Sequence, residues 1–480
     1  MNKEQRSKGA KYTELSKNAI LFTISNFGSK IISFLLVPLY TYVLSTKDYG
    51  NIDLINTTVQ LLIPILTLNI QEAVLRFALD KKYKKKDVIN VALLILLYSN
   101  LILIVFVVFM GAFQVFNLTW NYWLFLYFSF MFGSLFNVLS MYLKASDQVR
   151  VLAIFGILQT LITCFLNLWL LLTLRMGIDG YFIANTVGIG ISDLGLFICG
   201  KVWKNLNSKK VQWAIGKAML TFSMPLIINS VAWWINNASD RYVLTWFRGA
   251  AENGIYSVAY KIPSILNTVQ SIFYSAWSIS AVTQYDRNDK DGFVGNVYKI
   301  YVAFSILLSS LIMVLNQPLA RFLYAKDFYA AWRDTPPLLA GTVFNGLALF
   351  DGCIFTAVKK TKEVSSTTLY GAVVNIVLNF CLIPWMGGLG AAIATMIGYL
   401  VTWIMRTWKM RKYIRMKVDW KIQLVALALL LIQSIVAVWF GVSWIQIPFF
   451  IILILIMLKD LKKLLRFIVN RISSIIKATH

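Results

Sequence analysis

Hydrophobic residues in this chain come in long runs separated by short clusters of charge. Fourteen of these runs approach or exceed the roughly 20 helical residues needed to cross a bilayer core. They lie near 17–43, 51–79, 88–112, 120–143, 151–174, 179–200, 217–246, 254–283, 292–316, 335–358, 364–385, 389–410, 421–441 and 447–468. The pattern predicts an all-α integral membrane bundle of fourteen transmembrane helices. Inside several runs, small polar side chains recur every three or four residues, the spacing of one helix face. The second run carries Asp53, Thr57, Gln60, Pro64, Thr67 and Gln71 on such a stripe. The eighth carries Ser257, Lys261, Ser264, Thr268, Ser271, Ser275 and Ser278. The first has Ser25, Ser29 and Ser33 with Asn26 and Lys30 beside them. The seventh has Asn229, Trp233, Asn236 and Asp240, with Asn237 and Arg241 on the adjacent row.

The runs also repeat. Met176-Gly177-Ile178-Asp179-Gly180 precedes Ile183-Ala184 and Gly188 between runs five and six, and Met386-Gly387-Gly388-Leu389-Gly390 precedes Ile393-Ala394 and Gly398 between runs eleven and twelve. A weaker echo joins Lys47-Asp48-Tyr49-Gly50 to Ala251-Glu252-Asn253-Gly254. Both echoes fall at equivalent places in two six-helix blocks, so the chain reads as a duplication. A block of six helices is even, which gives the two halves the same orientation. The expected organisation is a first lobe over 1–210, a second over 211–415, and two further helices with a basic tail over 416–480. Runs one, two, seven and eight lead their repeats and are expected to line a cavity between the halves.

Composition supports the membrane reading. The 480 residues are 58% hydrophobic and 14% charged, with a mean hydropathy of +0.68, against about a quarter charged in an ordinary soluble domain. The net charge of +25 is chiefly a topology signal. Basic clusters such as Lys81-Lys82-Tyr83-Lys84-Lys85-Lys86, the 201–217 linker and Arg406 to Lys421 fall on one side. The other side holds Lys47, Arg175, Arg248, Arg321, Lys326 and Arg333. The positive-inside rule then places both termini in the cytoplasm. Charge scattered over short loops argues against nucleic-acid binding. The polar, basic start and the long, polar first run predict a retained helix rather than a cleaved signal. Cys164, Cys199, Cys353 and Cys381 are dispersed, and the only histidine is His480. This excludes histidine-based triads and zinc sites. Short loops leave no room for a soluble catalytic domain, so the chain is not read as an enzyme.

Cations within the runs are the candidate chemistry, because a charge inside a bilayer is costly unless it faces protein or water. Lys30, Arg76, Arg241 and Lys261 each share a helix with a proline, respectively Pro38, Pro64, Pro225 and Pro263. The prolines are candidate gating elements or static kinks. Lys30 and Lys261 have no acid in their own helices. Arg76 has Glu72 four residues away, a pair that can neutralise itself, and Arg241 adjoins Asp240. Gln60 and Asn237 are further candidate substrate contacts. Asp53, Glu72, Asp193, Asp240 and Asp351 are the candidate coupling acids for an ion or a proton, and no other cofactor is expected. The stripes also fit close packing of helices through small residues.

Three segments carry a family resemblance: the Arg76-Phe77 ending of run two, the Asp240-Arg241 pair, and the Gly254-Ile-Tyr-Ser-Val-Ala-Tyr-Lys261 opening of run eight. The chain resembles bacterial polysaccharide flippases, the Wzx-type members of the MOP superfamily, which also includes MATE drug exporters and lipid II flippases. The resemblance implies two MATE-like lobes that rock around a central cavity in the bacterial cytoplasmic membrane. It implies an oligosaccharide on undecaprenyl pyrophosphate as the substrate for cell-surface polysaccharide. Partners would be membrane lipids and the polymerase and glycosyltransferases of the same pathway. The competing expectation is a MATE-like exporter of small cationic compounds.

Overall fold

The computed structural model describes residues 28–113, 118–206, 213–441 and 444–458. Ser25, Asn26, the end of the last run and the basic tail lie outside the described residues. The helices are α1 (Gly28–Val43), α2 (Thr46–Leu66), α3 (Ile70–Leu79), α4 (Lys85–Ala112), α5 (Trp120–Ala145), α6 (Val149–Leu168) and α7 (Gly177–Cys199). They continue as α8 (Trp213–Arg248), α9 (Ala250–Ala259), α10 (Pro263–Thr283), α11 (Phe293–Val314) and α12 (Asn316–Leu323). The last are α13 (Thr335–Ala357), α14 (Thr361–Met386), α15 (Gly388–Met410), α16 (Trp420–Phe440) and α17 (Trp444–Leu458). Among the described residues there is no strand. Among the described residues, ten helices are long and apolar enough to cross a membrane, α2 and α3 make an eleventh as a bent pair, and α1 and α17 are shorter apolar helices. The chain divides into two compact units, residues 1–238 and 239–480.

In the first unit, α3, α4, α5 and α7 meet around Ile70, Val74, Val88, Ile89, Leu139, Leu143 and Leu196, joined by Met219 of α8. Between helices in lipid this packing acts through close contact rather than water exclusion. The second run is two helices, not one. The chain breaks between α2 and α3 with a bend of 54°, one turn beyond Pro64, which is buried inside α2. Leu68 and Asn69 take left-handed φ angles of 52° and 53°, a conformation that costs about 1–2 kcal/mol per non-glycine residue. Side chains hold the break. Ser99 Oγ donates to Leu66 O at 2.8 Å, Gln71 Nε2 donates to Asn69 Oδ1 at 3.1 Å, and Asn69 Nδ2 donates to Ser230 Oγ at 3.3 Å.

In the second unit, α13 is the axis. It is buried along most of its length, from Leu338 and Leu339 through Phe344 and Phe350 to Phe355. Trp277 of α10 stacks on Phe350 with ring centroids 4.2 Å apart, and Phe273 stacks on Tyr301 of α11 at 4.3 Å. The eighth run is also divided, into α9 and α10, with Lys261 in the joint and Pro263 opening α10. A proline in a first turn forfeits no intrahelical hydrogen bond. Pro38 likewise opens the Val37–Val43 segment of α1, whereas Pro225 lies inside the continuous α8 and is exposed.

The duplicated glycine motifs have the same local geometry. Gly177 begins α7 with φ +57°, and Gly387 immediately precedes α15 with φ +58°, a region that favours glycine. Further along, Gly188 lies against Thr163 of α6 and Gly398 lies against Asn375 of α14.

Candidate functional site

The polar core of the second unit is built around Asp240, which α8 holds 4% exposed. Its Oδ2 accepts hydrogen bonds from Tyr256 OH at 2.7 Å, Tyr260 OH at 3.2 Å and Thr395 Oγ1 at 3.4 Å. Its Oδ1 accepts from the backbone N–H of Arg241 at 2.9 Å. Thr395 in turn accepts from Asn375 Nδ2 at 3.2 Å, and Asn375 Oδ1 accepts from Asn379 Nδ2 at 3.1 Å. Asn379 Oδ1 ends the chain, buried with no hydrogen bond among the described residues. Three hydroxyls converge on this one carboxylate, so Asp240 ties α8 to α9 and α15. Arg241 points its guanidinium over the Tyr260 ring at 5.1 Å. The sequence singled out Asp240 and Arg241 but not Asn375, Asn379 or Thr395. Their signal was available: two amides four residues apart in an otherwise apolar run.

Lys261 stands one residue beyond Tyr260, half-buried, and its ammonium has no partner among the described residues. The α10 stripe starts here. Ser264, Asn267 and Ser275 are exposed, while Leu266, Gln270 and Trp277 bury the opposite face. The stripe hydroxyls donate to their own helix: Ser264 to Lys261 O, Thr268 to Ser264 O, Ser271 to Thr268 O, Ser275 to Ser271 O and Ser278 to Ser275 O. Donors spent on the backbone leave oxygen lone pairs outward, and Lys261 supplies the donors the stripe lacks.

A second buried charge in this unit escaped the sequence reading. Arg406, counted there with a basic cluster, is 3% exposed inside α15. Its Nη1 donates to Ala348 O at 2.7 Å, its Nε to Thr367 Oγ1 at 3.0 Å and its Nη2 to Thr368 Oγ1 at 2.6 Å. Asp351 lies within its field and accepts from Thr407 Oγ1 at 2.6 Å, with Oδ1 unbonded among the described residues. Positive-inside counting treats any arginine near a helix end as a solvent charge, so it has no way to register this one.

The first unit holds its candidates differently. Lys30 is exposed on α1, without a partner among the described residues, and the neighbouring Ser29 accepts from Thr160 at 2.9 Å. Gln60 is exposed, Asp53 is half-buried, and Thr57 and Thr67 bond back to their own helix at Asp53 O and Ile63 O. Asn237, exposed on α8, does the same, donating to Trp233 O. Arg76 does not pair with Glu72. It lies 3.9 Å from Asp80, four residues the other way, with Arg76 exposed and Asp80 half-buried, while Glu72 acts on Lys144 of α5. Asp193 on α7 is 1% exposed, and neither carboxylate oxygen has a hydrogen bond among the described residues.

One junction differs between the two units in a way that bears on charge. In the first, Asp48 at the start of α2 accepts from Tyr122 OH at 2.8 Å, and Asp179 at the start of α7 accepts from Asn121 Nδ2 at 2.8 Å. In the second, Glu252 of α9 accepts from Gly388 N at 3.1 Å, and Asp334, just before α13, lies over the same glycine. Burial, reinforced by the Glu252 carboxylate and opposed by Arg333, pushes the Asp334 carboxyl up to about 8.

Comparison with known proteins agrees with this architecture. Residues 15–279 match the family described as polysaccharide biosynthesis protein. The membrane protein MJ1068 of Methanocaldococcus jannaschii is 24% identical over 230 residues, which covers 45% of this chain and 44% of that protein. The chain thus spans under half the length of this curated relative. The lipid II flippase MurJ in an inward closed conformation superposes with a TM-score of 0.70 at 16% identity, covering 94% of this chain and 100% of MurJ. An inward-facing multidrug resistance MATE transporter of the MOP superfamily gives 0.64 at 13% identity, over 80% and 95%. A MOP superfamily transporter from Pyrococcus furiosus, noted for a binding pocket of reversed polarity, gives 0.56 at 14% identity, over 83% and 95%. The fold is therefore that of MurJ and the MATE transporters, and the chain belongs to the polysaccharide biosynthesis protein family.

Proposed function

We propose that the protein is a flippase. It would move an oligosaccharide linked to undecaprenyl pyrophosphate from the cytoplasmic to the outer leaflet of a bacterial cytoplasmic membrane, by alternating access, for cell-surface polysaccharide. The observation that carries this reading is Lys261, a cation without a partner among the described residues, at the head of an accessible hydroxyl stripe. A pyrophosphate needs a cation, and the sugars need hydrogen-bonding walls. At about 4 Å and an effective dielectric near 20, one such charge attracts an anion by about 4 kcal/mol before desolvation. Lys30 offers a second exposed cation, and Arg76 and Arg241 complete the set. Family membership supports the sugar-lipid class. Fourteen crossings with both termini cytoplasmic, and a polymerase and glycosyltransferases as pathway partners, belong to the same proposal.

Coupling is assigned to Asp240. As a carboxylate it holds Tyr256, Tyr260 and Thr395. The surrounding hydroxyl and amide oxygens suit a proton or a hard cation, which prefers oxygen ligands. Neutralising Asp240 weakens the bonds that tie α8 to α9 and α15, next to Lys261 in the chain. Asp351 is a second candidate for this role, buried with Thr407 Oγ1 donating to it at 2.6 Å.

The test is Lys30→Ala and Lys261→Ala, scored for glycan export and for normal membrane insertion. Loss of export is expected in each, and wild-type export by both variants removes the substrate-site assignment. Asp193, a buried acid without a partner among the described residues, favours the competing MATE-like export of small cations. Drug sensitivity of a deletion strain with glycan export intact would reverse the ranking.

A further inference from the structure

In the second unit, α15 and α16 each pack along α13 and leave a cleft between them. The cleft encloses a cavity of about 370 Å³ whose walls include Phe344, Trp403, Leu424 and Leu427. At one end the lining turns polar and basic. Arg411 lines the mouth with its guanidinium 5.1 Å from the Trp420 ring, and Lys412 stands over Trp408 at 5.7 Å. This is the end where the sequence concentrates basic residues, between Arg406 and Lys421. Arg406 is consumed by neutral acceptors and Lys409 by Glu363 at 2.7 Å. Arg411 and Lys412 are exposed.

We propose that this cleft is a binding site for an anionic phospholipid of the inner leaflet, with one acyl chain between α15 and α16 and its headgroup phosphate against Arg411 and Lys412. Three observations select that occupant. The walls are apolar and the helices on both sides are long and apolar enough to lie in a bilayer. Indoles cluster at the mouth, where Trp sits at the level of lipid headgroups. Basic residues between membrane helices on the cytoplasmic side recruit anionic headgroups, a guanidinium taking phosphate bidentately. The site is distinct from Lys261 and its stripe, and its occupant is not the transported substrate.

The experiment is native mass spectrometry of the full chain released from nanodiscs of equal phosphatidylglycerol and phosphatidylcholine. The wild type should retain phosphatidylglycerol preferentially. Arg411→Gln should reduce that preference about fivefold, as expected for loss of one interfacial cation. Ala428→Trp, on an exposed position that lines the cleft, should abolish retention by filling it. Equal retention of both lipids by the wild type overturns the proposal, as does an unchanged preference in both variants. Displacement of the phospholipid by equimolar undecaprenyl phosphate also overturns it, because the cleft would then belong to the transported lipid.

Discussion

Where α6 crosses α7 in the first unit, Thr163 lies against Gly188, and one turn along Asn167 is buried with its Oδ1 unbonded. At the matching crossing of α14 with α15, Asn375 lies against Gly398, and one turn along Asn379 is buried with its Oδ1 unbonded. The frames are alike, but what fills them is not. At the same distance before the paired glycines Gly50 and Gly254, the first unit has Leu36 and the second has Asp240. Where Tyr256 and Tyr260 stand in the second, the first has Ile52 and Asn56. Both units have helix crossings that depend on glycine and small side chains, and the Asp240 carboxylate network stands in one of them. Packing constraints act equally on both copies, whereas chemistry can be lodged in one.

The sharpest way to break this comparison is to neutralise one acid in each unit. Asp240→Asn, which replaces an ionic acceptor of three side-chain hydrogen bonds worth about 1.5–3 kcal/mol each, should lower glycan export at least tenfold with insertion unchanged. Asp193→Asn, in the first unit, should leave export near wild type, because neither Asp193 oxygen has a hydrogen bond among the described residues for the exchange to lose. The opposite result, read in the same export assay, would move coupling to the first unit.

Removing Arg406 tests stability rather than transport. Arg406→Leu removes the guanidinium bonds to Ala348 O, Thr367 Oγ1 and Thr368 Oγ1, worth about 1.5–3 kcal/mol each, and should appear as a lower Tm of the purified protein. A Tm within a degree or two of wild type would show that the guanidinium is not a fixture of the second unit.

The junction of Glu252 and Asp334 predicts a pH effect on stability. A carboxyl raised from about 3.9 when unfolded to about 8 when folded holds its proton in the native state and loses it on unfolding. The associated stability is complete below about pH 4 and declines as pH rises toward about 8, by at most about 1.4 kcal/mol per pH unit. Asp334→Asn should flatten that slope in thermal melts between pH 5 and 8. An unchanged slope would place the titration elsewhere. The smallest effect is expected from Arg76→Ala, whose exposed pair with Asp80 is worth about 1 kcal/mol or less, and a larger loss of Tm would mean that Arg76 supports the first unit in some further way.

The sequence carried the helical runs, the repeat and the stripes because each leaves a periodic trace in residue type. It also carried Asp240 and Lys261, since a charge in an apolar run is conspicuous without any structure. Other features left no periodic trace. Arg76 has an acid four residues away on each side, so helix spacing could not choose between Glu72 and Asp80, and the structure chose Asp80. The break at Leu68 and Asn69 involves no glycine and lies one turn past the proline that drew attention. Arg406 looked like a loop charge because its partners are carbonyls and hydroxyls of α13 and α14, contributed from distant parts of the chain. Asn375 and Asn379 lack charge, and their role follows only from the approach of Thr395 and Asp240.

The self-bonded hydroxyls of α10 have a consequence for genetics. Replacing any one of these serines by alanine removes an outward lone pair but orphans no donor, because the O–H was already spent on its own helix. Single exchanges along this face should therefore pass through a mutant screen almost unnoticed, while several together erase a wetted track. A conventional alanine scan would rank these positions as dispensable, although their contribution is collective.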